Sequence, residues 1–389
     1  MSETNPQQPQ AQEAPPPAAD ANATACPINA DFLPPNLKKH VDTKAPVPLR
    51  MMAAKSLVPL SPPQMLSTLY MLTFDPDQAV RDQAAKTAAT LPDRIAGTAF
   101  REESVHPPVL AWFLELFGSK DTYAELLILN ATTPDEAVAR LAKTATAKTA
   151  ETIGQNQLRI LRHDDIIRQL CANPNASPAL LDSVCDFAVR SGLVLQDVPQ
   201  MQAARVRLFG AEVAQKPPDP GPTAEEVLKE FGEAASSETA PPMEEGKRMT
   251  LTQKILKMSI SQKIKLATLG NKEARGQLLR DSNKLVAVAA IRSPRITDGE
   301  ILSIANNRAA HDDVLRVIYG NREYTKQYPI KLALVKNPKV PLAITMKFLG
   351  TLHDSEVKDL ARNKNVPSGI QQMAKKLVEK KTAPKKEEK

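Results

Sequence analysis

The stretch that decides the fold is Asp354-Ser-Glu-Val-Lys-Asp-Leu-Ala-Arg-Asn363. A short acidic residue opens it, where the free backbone N–H groups at the start of a helix need an acceptor. Apolar residues follow at helical spacing. Asparagine closes it, and asparagine tolerates the left-handed conformation that ends many helices. Pro367 follows four residues later, in a position suited to the first turn of a next helix. The stretch therefore predicts a helix, a tight turn and a second helix.

The same acidic-to-amide spacing of nine residues recurs along the chain. It joins four pairs: Asp121 and Asn130, Asp164 and Asn173, Asp312 and Asn321, and Asp354 and Asn363. The first pair lies 43 residues before the second, and the third lies 42 residues before the fourth. The turn also recurs, because residues 334–341 and 290–297 match residues 360–367. A period of this size predicts stacked helical repeats, which serve as binding surfaces far more often than as enzymes.

Two motifs carry a resemblance to known repeat families. Asp75-Pro-Asp-Gln-Ala-Val-Arg81, followed by an Ala-rich stretch, resembles bacterial HEAT-like arrays. The Asn-Pro, Pro and Leu-Leu spacing within residues 173–181 resembles the leucine-rich repeat variant group. Both groups are α-helical solenoids, so the resemblance implies an all-α solenoid over roughly residues 57–210 and 250–380. The founder type of the second group carries a cysteine cluster for an iron–sulfur centre. This chain lacks that cluster, and no cofactor is expected.

Composition divides the chain into five segments. They are a disordered Pro-rich tail (1–50), an acidic helical repeat array (51–215), a flexible acidic linker (216–247), a basic helical repeat array (248–380) and a disordered Lys/Glu tail (381–389). Residues 216–246, nearly the whole linker, hold six prolines and eight acidic residues against two lysines, a composition typical of disorder. In the first tail, Phe32, Leu33 and Leu37 form an apolar cluster that either docks elsewhere or packs on the chain's own first helix.

Two further segments leave alternatives open. Thr223 and Glu226 are spaced to cap a short helix with Val227, Leu228 and Phe231 on one side, although short isolated helices in linkers are usually transient. Residues 251–279 mix isoleucines with lysines. That mixture suits either an amphipathic helix on an anionic membrane or the first helices of the basic array, and the cap signals favour the array.

The charge is divided unequally along the chain. The whole chain carries a net charge of +7, but residues 247–389 hold 30 Lys and Arg against 13 Asp and Glu, a net of +17. The preceding residues hold 21 against 31, a net of −10. This asymmetry predicts an acidic or polyanionic partner for the C-terminal half.

The candidate binding surface consists of cations on or near the repeat turns. They are Arg292, Arg295, Lys336, Lys339 and Arg362, with Arg322 and Lys326 near a cluster of tyrosines. Stacked repeats would place the first five, which we call the cationic turn residues, in a row along one edge. The alternative is that cations near helix C-termini simply interact favourably with the helix dipole.

Neither catalytic nor metal-binding signatures stand out. The His-Asp-Asp triplets at residues 163–165 and 311–313 lack the further ligands of a metal site and are interpreted as helix starts. No phosphate-binding Gly-Lys loop or nucleophile elbow occurs. Cys171 and Cys185 are expected to be core residues. No secretory signal or apolar run long enough to cross a membrane is seen, which predicts a cytoplasmic protein.

These observations favour a non-enzymatic scaffold or adaptor that binds a protein partner, preferably through an acidic surface of that partner, along the helical repeats. The alternative is that the basic array binds nucleic acid or another polyanion. Positive charge supports phosphate contact, whereas base stacking needs aromatic side chains, and these are few in the C-terminal half.

Overall fold

The computed structural model describes residues 26–211, 221–231, 250–363 and 366–382. Within these ranges the chain is all-α, as predicted, with 24 α-helices, two short 3-10 helices (Ala30–Phe32 and Lys38–His40) and no strand. The first 25 residues of the predicted Pro-rich tail, most of the predicted linker and the last seven residues of the predicted Lys/Glu tail lie outside the described residues.

The chain divides into two compact units, Met1–Trp112 and Phe113–Lys389. The helices up to the division are α1 (Val47–Ala54), α2 (Pro62–Leu72), α3 (Gln78–Ala89), α4 (Asp93–Ala99) and α5 (Pro107–Phe117), the last of which contains the division. In the first unit, α1 packs on α2 and α3, and α2 packs on α4. Ser61 and Gln64 form the capping box at the start of α2 that their spacing indicates.

Residues 26–50 depart from the predicted tail because several of them pack on the helices that follow. Leu33 is buried, and the carbonyl of Phe32 accepts a hydrogen bond from Nε2 of Gln64 at 3.2 Å. Arg50 is buried as an ion pair with Asp75. The apolar cluster of this segment therefore packs on the chain's own first helices.

The second unit contains the remaining helices. They are α6 (Asp121–Leu129), α7 (Asp135–Ala142), α8 (Ala147–Gln155), α9 (Gln157–Arg162), α10 (Asp165–Cys171), α11 (Pro178–Arg190), α12 (Pro199–Phe209), α13 (Ala224–Phe231), α14 (Leu251–Lys257), α15 (Ile260–Leu269), α16 (Lys272–Leu278), α17 (Lys284–Ile291), α18 (Asp298–Asn306), α19 (Asp312–Gly320), α20 (Arg322–Lys326), α21 (Tyr328–Lys336), α22 (Leu342–Leu349), α23 (Asp354–Arg362) and α24 (Ser368–Thr382).

Most packing in this unit joins helices that are close in sequence. In its first half α6 packs on α8, α8 on α11 and α7 on α10. Later, α15 packs on α17, α17 on α19 and α18 on α21, and α24 packs on α23 at the C-terminal end. In these pairs each helix packs on one that lies one to three elements away, which is how amphipathic helices bury their apolar faces.

The helices on either side of the predicted linker are in contact, so the linker is not the boundary between the two compact units. Helix α15 packs on α9, and the N–H of Ser261 donates to the carbonyl of Ser191 at 3.2 Å. Gly192 has a φ of +78°, and a Cβ there would lie 2.5 Å from the Cβ of Ser259. Only glycine allows both this backbone conformation and this close approach.

The asparagines that close the recurring segments do not adopt the left-handed conformation, so that explanation of the turn is wrong. Asn130, Asn321 and Asn363 have φ values of −70°, −85° and −75°. Instead, the Oδ1 atom of Asn130 accepts the N–H of Thr132 at 2.9 Å, and the Oδ1 atom of Asn321 accepts the N–H of Glu323 at 2.8 Å. A side-chain amide used in this way forms the turn without a positive φ.

Among the described residues, no helix combines the length and the apolar character needed to cross a bilayer.

Candidate functional site

The turn after α21 carries two of the cationic turn residues, Lys336 and Lys339, on either side of Asn337. Asn337 is buried, and its Nδ2 donates to the carbonyls of Ala305 and Asn307 at 2.8 and 3.1 Å. Its Oδ1 accepts the N–H of Lys339 at 3.0 Å. The amide therefore ties this turn to the turn after α18, while the side chain of Lys336 is exposed.

A matching turn in the first half carries no cation. Nδ2 of Asn173 donates to the carbonyls of Ala142 and Ala145 at 2.8 and 2.9 Å, and Ala172 stands where Lys336 stands in the later turn. The bridging asparagine is therefore independent of the cation before it, so Lys336 is not required to form the turn.

The turn after α17 uses serine in the same role. Oγ of Ser293 donates to the carbonyl of Thr268 at 3.3 Å and accepts the N–H of Arg295 at 3.4 Å. Nη1 of Arg295 donates to the carbonyl of Leu269 at 3.4 Å. Arg295 thus lies against the end of α15.

The structure does not place all five cationic turn residues on one edge. Arg292 and Arg295 precede α18, whereas the turn of Lys336 and Lys339 is bonded to the residues that end and follow α18. A helix of nine residues is about 13 Å long. These four residues therefore form two groups at opposite ends of α18 in place of the predicted single row.

Arg362, the fifth cationic turn residue, is exposed at the end of α23, a helix that begins beside α21.

Tyr328 joins the starts of α21 and α23. The rings of Tyr328 and His353 lie 4.5 Å apart between centroids, and the hydroxyl of Tyr328 accepts the N–H of His353 at 3.0 Å. The same hydroxyl donates to Glu356. Tyr328 is thus committed to joining two helices, which makes its ring a poor platform for a nucleic-acid base.

Arg322 and Lys326 lie on the short helix α20 and are exposed. Nζ of Lys326 donates to both carboxylate oxygens of Glu323, at 2.6 and 2.9 Å. The local charge of Lys326 is therefore partly neutralised. Lys339 is also partly engaged, since its Nζ donates to the carbonyl of Ala310 at 2.8 Å.

Buried arginines stabilise the turns by donating hydrogen bonds to backbone carbonyls, a role that was not predicted from the sequence. Nε, Nη1 and Nη2 of Arg159 donate to the carbonyls of Ile128, Thr133 and Asn130 at 3.1, 2.8 and 2.5 Å. The same guanidinium pairs with Asp135. Arg159 therefore supplies donors to the carbonyls at the end of α6, which have no partner within the helix. The spacing of Arg159 and Asp135, about one helix-turn-helix unit, is the signal that could have indicated the pair.

The ionisation of this group follows from its surroundings. Burial raises the pKa of Asp135, and the hydrogen bond and charge of Arg162 together with Arg159 lower it by more, so that it lies below its ordinary value. Burial lowers the pKa of Arg159, and the nearby charge of Arg292 adds to that effect.

A second buried pair joins α16 to α18. Nε and Nη2 of Arg275 donate to the two carboxylate oxygens of Glu300, each at 3.1 Å, and Nη1 donates to the carbonyl of Gly270 at 2.8 Å. Glu300 also accepts the N–H and hydroxyl of Thr297 at 2.9 and 2.7 Å. Burial raises the pKa of Glu300, and these hydrogen bonds bring it below its ordinary value.

Two of the histidines before the acidic residues stand at helix starts, as interpreted from the sequence, whereas His163 is the C-cap of α9 and Asp164 is the N-cap of α10. His311 and His353 are the N-cap residues of α19 and α23, and Nε2 of His311 lies 2.9 Å from the carbonyl oxygen of Asp281. Within the described ranges, no three His, Cys, Asp or Glu side chains are placed to share a metal ion. Cys185 is buried, and its hydrogen bond to Cys171 together with burial raises its pKa.

Comparison with known proteins found no match among family models, curated proteins or solved structures.

Proposed function

We propose that this protein is a non-enzymatic scaffold whose stacked helical repeats form an α-solenoid, of the kind found in HEAT-like and leucine-rich repeat variant proteins, and bind an acidic protein partner. The observation that carries the proposal is the repeated bridge from one turn to an earlier one. Asn173, Ser293 and Asn337 each donate to a carbonyl 25 to 32 residues back. Bridges of this kind stack one helical pair on the next and leave the turn cations at the surface.

The charge of the C-terminal half supports an acidic partner. Residues 247–389 carry a net of +17, and the cationic turn residues Lys336 and Arg362 are exposed. A surface of this charge attracts acidic partners and speeds their association.

The polar groups of the described helices support a binding role over a catalytic one. Asp135 and Glu300 are held by buried arginines, and Asp121 accepts hydrogen bonds from the hydroxyls of Thr146 and Thr149. These hydrogen bonds lower the pKa of Asp121, so its carboxylate stays ionised. Each of these groups serves helix packing.

The alternative is a nucleic-acid or other polyanion binder, which the net charge alone also favours. Salt dependence of binding to heparin by the full chain separates the two functions. A phosphate binder releases counterions and loses affinity steeply as salt rises from about 50 to about 300 mM. Under our proposal, retention on heparin is weak and the same chain retains its protein partner across that range. Tight, steeply salt-dependent heparin binding together with loss of the protein partner would support the alternative.

A further inference from the structure

Helix α13 is an acidic amphipathic helix that comes from the predicted linker. Ala224 and Val227 are buried, and Leu228 and Phe231 are half-buried. These four positions follow the i, i+3, i+4, i+7 pattern of a single apolar stripe. The side chains of Glu225, Glu226 and Glu230 lie on the exposed remainder of the helix. This helix lies within the described residues 221–231, and residues 212–220 and 232–249 on either side lie outside the described ranges.

Helix α13 packs on α14 and α15, and its two ends are bound by Gln262 of α15 and by Asn271, the N-cap of α16. Oε1 of Gln262 accepts the N–H of Ala224 at 3.0 Å at the first turn. Nδ2 of Asn271 donates to the carbonyl of Phe231 at 2.6 Å at the last turn. Both are backbone groups that a helix leaves without an internal partner. The surface is therefore built for a helix of eight residues, about 12 Å long.

A charge contact completes the site. Lys254 forms an ion pair with Glu230 and lies 5.6 Å from the centroid of the Phe231 ring. Before the helix, Gly221 has a φ of +57°, and a Cβ there would lie 2.8 Å from the carbonyl oxygen of Lys257. This glycine allows the chain to approach α14 closely.

The contacts between α13 and its site use only general features of an acidic two-turn helix. They comprise an apolar stripe, one carboxylate, one free N–H and one free C=O, and none requires that the helix belong to the same chain. A helix of eight residues is not stable alone in water. Helix α13 is therefore stabilised by its contacts with this site, and its own helical stability adds little resistance to replacement by another helix.

We propose that this surface of α14 and α15, which we call the helix groove, is a docking site for an acidic amphipathic helix of the partner protein, and that α13 occupies it in cis. The partner's helix carries apolar residues at the spacing of Ala224, Val227 and Phe231 and an acidic residue at the position of Glu230. The inference rests on the proposed function, because it names the kind of partner that the scaffold binds. Partner binding then requires displacement of α13.

The test uses a fluorescently labelled peptide of residues 222–232 as the probe and the full chain as the receptor. In the receptor, Val227→Asp removes the central buried contact of α13 and leaves the helix groove unchanged. We expect this receptor to bind the peptide at least tenfold more tightly than the wild-type chain, measured by fluorescence anisotropy. A peptide that itself carries Val227→Asp is the matched control and is expected not to bind.

A charge exchange tests the geometry of the groove. Adding Lys254→Glu to the Val227→Asp receptor should weaken binding of the unchanged peptide, and Glu230→Lys in the peptide should restore it. A second receptor with Gly221→Ala loosens α13 without altering its apolar stripe, and it should also bind the peptide more tightly than wild type. If Val227→Asp proves to lower the melting temperature of the whole chain, the Gly221→Ala receptor provides the test in its place.

Equal peptide affinity in the wild-type, Val227→Asp and Gly221→Ala receptors would overturn the proposal, as would equal binding of the Val227→Asp peptide. A wild-type dimer in sedimentation that the peptide converts to monomer would also overturn it, since the groove would then hold α13 of a second copy. None of these results depends on the cationic turn residues. If the helix groove does not bind the peptide, partner binding through the cationic turn residues is still tested separately, by charge reversal.

Discussion

At the scale of single residues, Arg159 shows how a buried cation can define a turn. Its guanidinium meets three backbone carbonyls and Asp135, so each of its donor nitrogens has an acceptor within the protein. Breaking a buried pair by removing one partner leaves an uncompensated charge. If the arginine were replaced, the carbonyls of the turn would lose this donor, and Asp135 would keep its hydrogen bonds to Arg162 but lose the one to Arg159.

We therefore expect Arg159→Met to lower the free energy of unfolding by about 3–5 kcal/mol, measured by urea denaturation of the full chain. The matched control is Arg140→Met, since Arg140 pairs with Glu115 at the surface, with side chains 60% and 55% exposed. The control should lose no more than about 1 kcal/mol. Equal losses in the two variants would show that the buried network around Arg159 contributes little.

The depressed pKa of Asp135 predicts a specific loss of stability in acid. Because its folded pKa lies below the unfolded value of about 3.9, the carboxylate stabilises the fold above that pH. This contribution is lost as the pH falls below about 4 and through the folded pKa. Unfolding free energies measured from pH 6 downward should fall less steeply in Asp135→Asn than in wild type.

Glu115→Gln provides the comparison for this pH series, because Glu115 is exposed and forms only the surface pair with Arg140. Its acid profile should follow that of the wild-type chain. If Asp135→Asn also keeps the wild-type slope, the ion pair with Arg159 and Arg162 is not what makes the fold sensitive to acid.

At the scale of elements, the sequence predicted helices better than it predicted the causes of their ends. Helices α6, α10, α19 and α23 coincide with the four acidic-to-amide segments, because apolar spacing and capping are local signals. The role of Asn337 was not predictable in the same way. Its amide bonds to Ala305 and Asn307, about 30 residues away, and no local pattern records such a partner.

Two glycines are expected to respond in opposite directions to the same substitution. Gly276 lies inside α16, and a Cβ there would meet no atom within 4 Å. Gly276→Ala should therefore raise the free energy of unfolding by about 0.5–1 kcal/mol. Gly192→Ala should lower it, since Gly192 combines a φ of +78° with close approach to Ser259.

Thermal and urea unfolding of both variants would test this pair. A destabilising Gly276→Ala would mean that α16 is covered by something beyond the described residues. A neutral Gly192→Ala would mean that the contact between residues 191–192 and 259–261 is not a firm part of the second unit.

Helix α13 marks the limit of prediction from sequence at this scale. The capping pair Thr223 and Glu226 and the apolar spacing indicated the helix, and the structure shows both. Its docking on Gln262 and Asn271 was not indicated, because those contacts are to backbone groups and carry no sequence pattern. Composition favoured a flexible linker throughout that segment.

At the scale of the whole molecule, the division of charge between the halves could be read from composition, whereas the position of each cation could not. The sequence placed the five cationic turn residues on one edge, since their turns look alike. The structure places Arg292 and Arg295 at one end of α18 and Lys336 and Lys339 at the other. The position of each cation depends on which end of a helix its turn occupies, and packing determines that.

Charge reversal tests whether these positions or the net charge matter for the partner. Reversing the exposed residues Arg295, Lys336 and Arg362 to Glu should abolish partner binding with an unchanged melting curve, because exposed side chains contribute little to stability. Reversing Lys375, Lys376 and Lys380 on α24 to Glu changes the net charge equally and should leave binding in place. Equal loss in both variants would indicate that only overall charge is recognised.

The most direct test of the account is capture of partners by the full chain from cells, with nuclease added to one half of the sample. A protein scaffold should retain the same protein partner in both halves, and that partner should be displaced by an excess of the peptide of residues 222–232. Loss of all bound material in the nuclease-treated half would contradict the account and identify nucleic acid as what the basic half binds.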